Sequence, residues 1–152
     1  MYKGTLIVVK DMEESKNFYC DILGMNVIGE FGANVQLDGG LFLQTCETWY
    51  DFINNKEVYF KNNACELYFE VLDLNAVYER LQVSSIEYVH DMREHSWGQR
   101  VIRFYDPNHH IIEVAEDIVL VIKRFLDSGM SVEQVAIRMD VPVDYINKCL
   151  NN

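Results

Sequence analysis

Charged side chains recur at two-residue spacing in the second half of the chain, a pattern suited to binding a charged small molecule. With the period of a β-strand, Glu66, Tyr68 and Glu70 share one face. Arg103 and Glu113 lie in two later segments that also favour strands. A guanidinium placed among carboxylates forms a bidentate pair with one of them. We therefore expect Arg103 to pair with Glu113 or Glu70 and to act as an internal cation.

Aromatic side chains accompany these charges and are suited to binding a cation through their ring faces. Tyr105 follows Arg103 at the two-residue spacing, and Trp97 precedes the same segment. Trp49 lies in the connector 47–64, which contains four more aromatic residues: Tyr50, Phe52, Tyr59 and Phe60. So many aromatic residues in a short connector are typical of a wall or lid over a pocket. Trp49, Trp97 and Tyr105 are predicted to make cation–π contacts with a ligand.

The histidines are not spaced as a metal-binding cluster. The stretch 106–109 contains proline and asparagine and predicts a turn, since proline fixes φ and asparagine tolerates the left-handed conformation. His109 and His110 belong to this turn region, so a surface position is expected for both. His95 stands just before Trp97, and a solvated position in the loop is expected for it. The alternative is a position at the mouth of a pocket, where it would titrate near neutral pH.

The charge balance excludes several classes of partner. Lysine and arginine number 13 against 24 aspartates and glutamates, so the formal net charge is −11. Such a surface repels phosphate backbones and anionic lipid, which argues against binding nucleic acid or a membrane. No apolar run approaches the roughly 20 residues of a membrane span, and the N-terminus lacks a signal-peptide core. Cysteines without paired spacing indicate reduced thiols, and we expect a cytoplasmic protein.

One pattern of strand and helix occurs twice along the chain. A β-rich run ends at Asp11 and another at Asp73, and each passes directly into helical spacing with the aspartate at the helix cap. Three further strands are expected after each helix, so each unit has the order βαβββ. The predicted modules are residues 1–46 and 65–116. The strands expected in the second module are 66–72, 86–90, 100–105 and 110–115, with a polar bridge over 92–98.

After Glu116 the pattern is helical only. Helices are predicted over 118–126, 132–139 and 143–150, with a capping box that begins at Ser131. The spacing is similar to a helix-turn-helix unit, but the charges are balanced and give no basic footprint for DNA. We therefore expect residues 117–152 to form a small tail that packs on the preceding domain or mediates self-association.

Several segments resemble the glyoxalase/bleomycin-resistance/dioxygenase, or vicinal-oxygen-chelate, superfamily, and the likeness covers residues 2–116. They are Val9-Lys-Asp-Met-Glu-Glu-Ser-Lys-Asn-Phe-Tyr19, Leu23-Gly-Met25, Trp97-Gly-Gln-Arg-Val-Ile-Arg-Phe-Tyr-Asp-Pro107 and Ile111-Ile-Glu-Val114. The resemblance implies an α+β domain over 1–116, in which two βαβββ modules form a cup-shaped mixed sheet. It also implies a homodimer with two-fold symmetry.

Metal-dependent members of the superfamily hold a divalent ion in the cup. Carried onto this chain, the ligand positions are Gly4, Gln44, Glu66 and Glu113, of which only Glu113 has the usual residue type. Gln44, Glu66 and Glu113 are oxygen donors suited to Mg²⁺ or Mn²⁺, and they lack the imidazoles that favour Zn²⁺. A divalent cofactor is thus open, but a metal-free site with Arg103 as the cation is favoured.

The preferred interpretation is a protein that binds a small organic molecule in the cup between its modules, without a complete metal site. The residues expected to contact the ligand are Gln44, Trp49, Tyr68, Glu70, Trp97, Arg103 and Tyr105. The first alternative is a metal-dependent lyase or isomerase of lactoylglutathione-lyase type, which would use Glu113 and Glu66 as metal ligand and general base. The second alternative is a ligand-responsive regulator that acts through the C-terminal helices.

Overall fold

The computed structural model of the protein describes residues 1–151. Within them the chain forms eight β-strands and six α-helices: β1 (Thr5–Val9), α1 (Met12–Asn17), β2 (Val27–Glu30), β3 (Asn34–Leu37), β4 (Leu41–Thr45), α2 (Cys46–Phe52), β5 (Glu66–Val71), α3 (Leu74–Gln82), β6 (Tyr88–Glu94), β7 (Arg100–Tyr105), β8 (Ile111–Glu116), α4 (Ile118–Asp127), α5 (Val132–Met139) and α6 (Val143–Leu150). A π-helical turn, Phe18–Ile22, continues α1.

The two sheets have the same topology. The first has the strand order β1-β4-β3-β2 and the second β5-β8-β7-β6. In each sheet the first strand pairs in parallel with the last, and the remaining pairs are antiparallel. The predicted α+β class and the two βαβββ modules are therefore confirmed.

Equivalent aspartates start the first helix of each module. Asp11 Oδ1 accepts a hydrogen bond from the backbone N–H of Glu14 at 2.9 Å. Asp73 Oδ1 accepts one from Ala76 at 3.0 Å. A cap of this kind satisfies a backbone donor that the first helical turn leaves free. The repeat seen in the sequence thus corresponds to the same local structure in both modules.

Both modules contribute to one hydrophobic core. Alternate residues of each sheet, such as Val9 and Val114, face this core together with the helices. Phe18 of the π-helical turn belongs to the first module, yet the centroid of its ring lies 6.3 Å from that of Phe104 in the second module. The intervening strand residues point away from the core. In the second sheet they form what we call the polar face, defined by Glu66, Tyr68, Glu70, His90, Arg103 and Glu113.

Two elements differ from the predictions. No helix was predicted for the connector 47–64, but most of α2, which spans Cys46–Phe52, lies within it. The strand expected over 86–90, the second of the second module, instead spans Tyr88 to Glu94 and includes part of the predicted polar bridge. The pairing of β6 with β7 contains register shifts. Such shifts interrupt the alternation of apolar and polar residues, so the sequence pattern does not reveal the full length of the strand.

The predicted turn at 106–109 is present, and it fastens the two modules together. His109, not Asn108, has a positive φ, of 63°. The side chain of Asn108 is used elsewhere: Oδ1 accepts a hydrogen bond from Lys10 N at 2.8 Å, and Nδ2 donates to Ser15 Oγ at 3.0 Å. Because these partners belong to the first module, the turn is an anchor between modules.

The C-terminal tail consists of the three predicted helices. Ser131 forms the expected capping box with Gln134. Their apolar faces, which include Val121, Phe125 and Ile146, pack into a separate small core. The predicted tail extends to Asn152, which lies outside the described residues. Among residues 1–151, no helix has both the length and the apolar character to cross a membrane.

Candidate functional site

Arg103 occupies the centre of the polar face. It pairs in register with Glu113 of β8 on one side and with His90 of β6 on the other. Its Nε donates to Glu66 Oε2 at 2.9 Å, and its Nη2 is in direct contact with Glu113 Oε2. Its Nη1 lies 3.3 Å from His90 Nε2, which must accept because a guanidinium only donates. One cation thus joins two carboxylates and an imidazole from three neighbouring strands.

The buried member of this group is Glu113. Its side chain is only 5% exposed, whereas that of Glu66 is 37% exposed. Within residues 1–151, no donor meets hydrogen-bond geometry at Glu113 Oε2, so its contact with Arg103 is one of charge. A buried carboxylate needs such a partner, since removal from water strongly disfavours an isolated charge. Arg103 supplies that opposite charge to the buried carboxyl group of Glu113.

A chain of hydrogen bonds runs along the end of the polar face nearest the tail. Trp97 Nε1 donates to Gln99 Oε1 at 3.1 Å, and Gln99 Nε2 donates to the Tyr68 hydroxyl at 3.1 Å. Tyr68 in turn donates to Glu70 Oε1 at 2.7 Å. The backbone N–H of Ile118 donates to Glu70 Oε2 at 3.3 Å. Glu70 is thus bound to Tyr68 and to the start of α4, and not to Arg103.

The pKa of Tyr68 reflects this environment. Burial, followed by the hydrogen bond to Glu70, raises the pKa of Tyr68 to about 12. The phenol therefore remains protonated at neutral pH and keeps its proton directed at Glu70.

His95 covers one face of Trp97. The two rings are nearly parallel, with their centroids 4.1 Å apart. Burial, and then the positive charge of Arg103, lowers the pKa of His95 below its ordinary value of 6.5. At neutral pH the imidazole is therefore uncharged, and its titration is shifted to lower pH than the sequence suggested.

Tyr105 is the last residue of β7, lies on the same side of the sheet as Arg103 and is close to the connector. Its hydroxyl donates to Asn63 Oδ1 at 2.7 Å, and Lys61 Nζ lies 4.8 Å from the ring centroid. A cation of the protein itself therefore occupies the ring face that was predicted to receive a ligand.

Gln44 belongs to the first module and Trp49 to the connector, and the described contacts of both are with residues outside the polar face. Gln44 accepts a hydrogen bond from Asn34 and donates one to Thr48. Trp49 of α2 borders a separate cavity of about 290 Å³, which the connector residues Tyr59 and Phe60 also line. Three of the five connector aromatics thus line a cavity that is separate from the polar face.

The donor set inferred from the superfamily does not fit a divalent ion. Glu66 and Glu113 both contact Arg103, whose fixed positive charge repels a metal. The amide of Gln44 is engaged within its own module, and Gly4 has no side chain. In the part of the chain that the structure describes, histidine, cysteine, aspartate and glutamate form no group of three or more that could hold a metal ion.

Some residues of the site were not identified from the sequence. His90 lies opposite Arg103 in the register, and Gln99 shares its face with Arg103 by simple alternation. The two-residue period was a usable signal for Gln99. Tyr145 and Met139, from the tail, border the same end of the polar face. No local pattern indicates their position, because it depends on how the tail packs against the sheet.

Comparisons with known proteins agree with this architecture. Residues 2–119 match the family model described as Glyoxalase-like domain. A comparison with proteins of curated function found no significant match. The match to the family model ends near the start of α4, so α5 and α6 lie beyond the region that it describes.

Solved structures from several bacteria have the same fold. A protein of unknown function from Agrobacterium tumefaciens str. C58 is 31% identical, with a TM-score of 0.70, over 77% of this chain and 94% of that one. A lactoylglutathione lyase from Agrobacterium tumefaciens is 18% identical, with a TM-score of 0.61, over 78% of this chain and 95% of that one. A glyoxalase/bleomycin resistance protein/dioxygenase family enzyme from Burkholderia phytofirmans PsJN is 13% identical, with a TM-score of 0.64, over 75% and 96%. At the two lower identities the similarity shows the fold alone.

Proposed function

This chain belongs to the Glyoxalase-like domain family, and from that premise we propose that it binds a small organic molecule on the polar face of its second module, without the divalent ion of metal-dependent members. The observation that carries the proposal is the position of Arg103. Its guanidinium lies between Glu66 and Glu113, which are two of the three oxygen donors available for a metal. An internal cation at this point neutralises the donors and leaves the surrounding surface to bind other groups.

The ligand class follows from the charge and the aromatic residues around Arg103. Three carboxylates, of Glu66, Glu70 and Glu113, share the polar face with one guanidinium, so the face has an excess of negative charge. Tyr68 and Trp97 provide aromatic surface at its edge. A carboxylate beside aromatic rings favours organic cations and polar aromatic molecules.

Thermal-shift screening tests this function. We expect organic ammonium compounds, such as benzyltrimethylammonium, to raise the unfolding temperature, because they bind only the folded chain. Mn²⁺, Ni²⁺ and Zn²⁺ are expected to leave it unchanged. Stabilisation by a divalent ion, with none by any organic cation or polar aromatic compound, would contradict the proposal.

The alternative of a metal-dependent lyase or isomerase requires Glu113 or Glu66 to act as a metal ligand and base. The shared fold with a lactoylglutathione lyase is the observation in its favour. This alternative requires Arg103 to move away from both carboxylates. Stabilisation by a divalent ion in the same thermal-shift screen would support it.

We also propose that two copies of the chain associate. The edge strand β2 and the residue that follows it expose apolar side chains, with Ile28 at 59% and Phe31 at 67% exposure. An exposed apolar edge favours contact with another chain. Light scattering at micromolar concentration is expected to give the mass of a dimer, and the mass of a monomer would refute this part.

A further inference from the structure

We infer that the C-terminal helices form one wall of the ligand-binding site and that the cavity they close with the polar face takes a small organic cation. This inference rests on the proposed function and specifies where the ligand binds. The cavity, which we call the tail cavity, has a volume of about 250 Å³. Its lining includes Tyr68, Glu70, Trp97 and Gln99 from the second module, and Met139 and Tyr145 from the tail.

The tail is fastened to the second module by a charged cluster. Glu116, at the end of β8, is buried and accepts hydrogen bonds from Arg100 at 3.1 Å and from Arg124 at 3.0 Å. Arg124 Nη2 also donates to the carbonyl of Gly98 at 2.7 Å. Since Arg124 belongs to α4 and Gly98 to the loop before β7, these bonds set the position of the tail relative to the sheet.

An aromatic contact supports the same attachment. Phe125 packs directly on Gly98, where a Cβ atom would lie 2.3 Å from the ring. The guanidinium groups of Arg124 and Arg138 each lie 5.3 Å from the centroid of the Phe125 ring. Arg138 also contacts the carbonyl of Ser96. Helices held at several points can present side chains to a cavity in a defined geometry.

The hydrogen-bond chain from Trp97 through Gln99 and Tyr68 to Glu70 orients the walls of the tail cavity. Gln99 is only 4% exposed, and its amide also donates to the backbone carbonyl of Glu116 at 2.8 Å. The polar atoms of the two aromatic residues are therefore satisfied within the wall. His95 covers one ring face of Trp97, while the remaining ring surface of Trp97 and the ring of Tyr68 border the tail cavity, which is the arrangement expected of a preorganised binding site.

The lining of the tail cavity has the chemistry that recognises an organic cation. Three aromatic rings, of Tyr68, Trp97 and Tyr145, surround it, and Glu70 supplies a negative charge. The residues that line it, all in the described part of the chain, include no basic side chain. Aromatic rings attract cations through their negative faces, and a nearby carboxylate adds to this attraction. The volume lies just below the usual range for ligand pockets, so a small ammonium compound fits best.

Isothermal titration of the full chain tests the inference. The probes are benzyltrimethylammonium and choline, with 3,3-dimethylbutan-1-ol as the uncharged counterpart of choline. The unaltered protein is expected to bind the ammonium probes and not the alcohol. Tyr145→Ala and Glu70→Gln should each weaken binding by about tenfold, the effect of losing one ring face or one charge partner. Tyr145→Phe should retain most of the affinity, because it keeps the ring.

Ile137→Ala is the matched control on the tail. Ile137 is 82% exposed and does not line the tail cavity, so its variant should bind as the unaltered protein does. Equal binding by Tyr145→Ala and the unaltered protein would overturn the inference and leave the proposed function standing. Equal binding of choline and its alcohol counterpart would overturn the cation class. If the unaltered protein binds no organic cation or polar aromatic compound, the proposed function itself fails.

Discussion

Arg103 and Glu113 face each other across β7 and β8, with the guanidinium of one in direct contact with the buried carboxylate of the other. Glu66 adds a second carboxylate to the same guanidinium at 2.9 Å. The two strands thereby place a fixed positive charge where metal-dependent relatives are expected to hold an ion. This relationship explains how the protein accommodates a buried carboxylate, because the opposite charge comes from one of its own side chains.

Replacing Arg103 with leucine should strongly destabilise the fold. The change leaves Glu113 buried without a partner, at a cost of about 3 kcal/mol in the free energy of unfolding. The double variant Arg103→Leu with Glu113→Leu should recover most of this loss, because neither charge then remains. Urea unfolding of both variants gives the comparison. As a control, Lys61→Gln breaks an exposed ion pair with Glu87 and should have little effect. A single variant as stable as the double one would contradict this account.

The attachment of the tail through Glu116 should weaken at acid pH. Burial raises its pKa, but the hydrogen bond from Arg100 and the charges of Arg100 and Arg124 outweigh burial and lower the pKa below 4.5. A carboxylate with a lowered folded-state pKa stabilises the protein fully above its unfolded-state value. That stabilisation is lost as the pH falls through the folded-state value.

The variant Glu116→Gln is therefore expected to lose stability near neutral pH and to show a smaller further loss below about pH 4.5. Urea midpoints measured over this range for the two proteins provide the test. Parallel pH profiles for the variant and the unaltered protein would show that Glu116 does not contribute in this way.

Gly98→Ala should loosen the tail. Gly98 has a φ of 91°, and a Cβ atom there would lie 2.3 Å from the ring of Phe125. Gly129→Ala is the matched control, because Gly129 has a similar φ of 95° but no neighbour within 4 Å of its Cβ position. Backbone strain alone should cost about 1–2 kcal/mol at either site. Thermal unfolding and limited proteolysis should show a larger effect at Gly98, and equal effects would exclude the predicted clash.

Asn108→Ala should weaken the junction of the two modules. The change removes two hydrogen bonds to the first module and leaves Lys10 N and Ser15 Oγ without this partner, at a cost of about 2 kcal/mol. Asn62→Ala serves as control, since Asn62 is exposed and also makes two hydrogen bonds, both within its own loop. Chemical unfolding should show a larger loss of stability for Asn108→Ala than for Asn62→Ala. Equal losses would mean that Asn108 does not join the modules.

Short-range patterns were sufficient to predict most of the framework. The two-residue period placed Glu66, Tyr68 and Glu70 on one side of β5. Glu113 was one of the two ion-pair partners predicted for Arg103. The same reasoning placed Glu70 wrongly as a second possible partner. Glu70 is bound by Tyr68 and by the start of α4, a contact that arises only when the tail packs on the sheet.

Features that depend on distant contacts were missed. The tail cavity requires Tyr145 to meet Tyr68, which is far away along the chain. His109 takes the positive φ in its turn, and the side chain of Asn108 bonds to the first module. Neither arrangement has a local signature, since tertiary hydrogen bonds override the turn preference of a single residue.

Metal analysis of the protein, purified without chelators, tests the central claim most directly. If Arg103 replaces the ion between Glu66 and Glu113, elemental analysis should find divalent metal far below one ion per chain, and dialysis against Mn²⁺ or Zn²⁺ should not raise it. One tightly bound divalent ion per chain, lost on substitution of Glu113, would contradict the account.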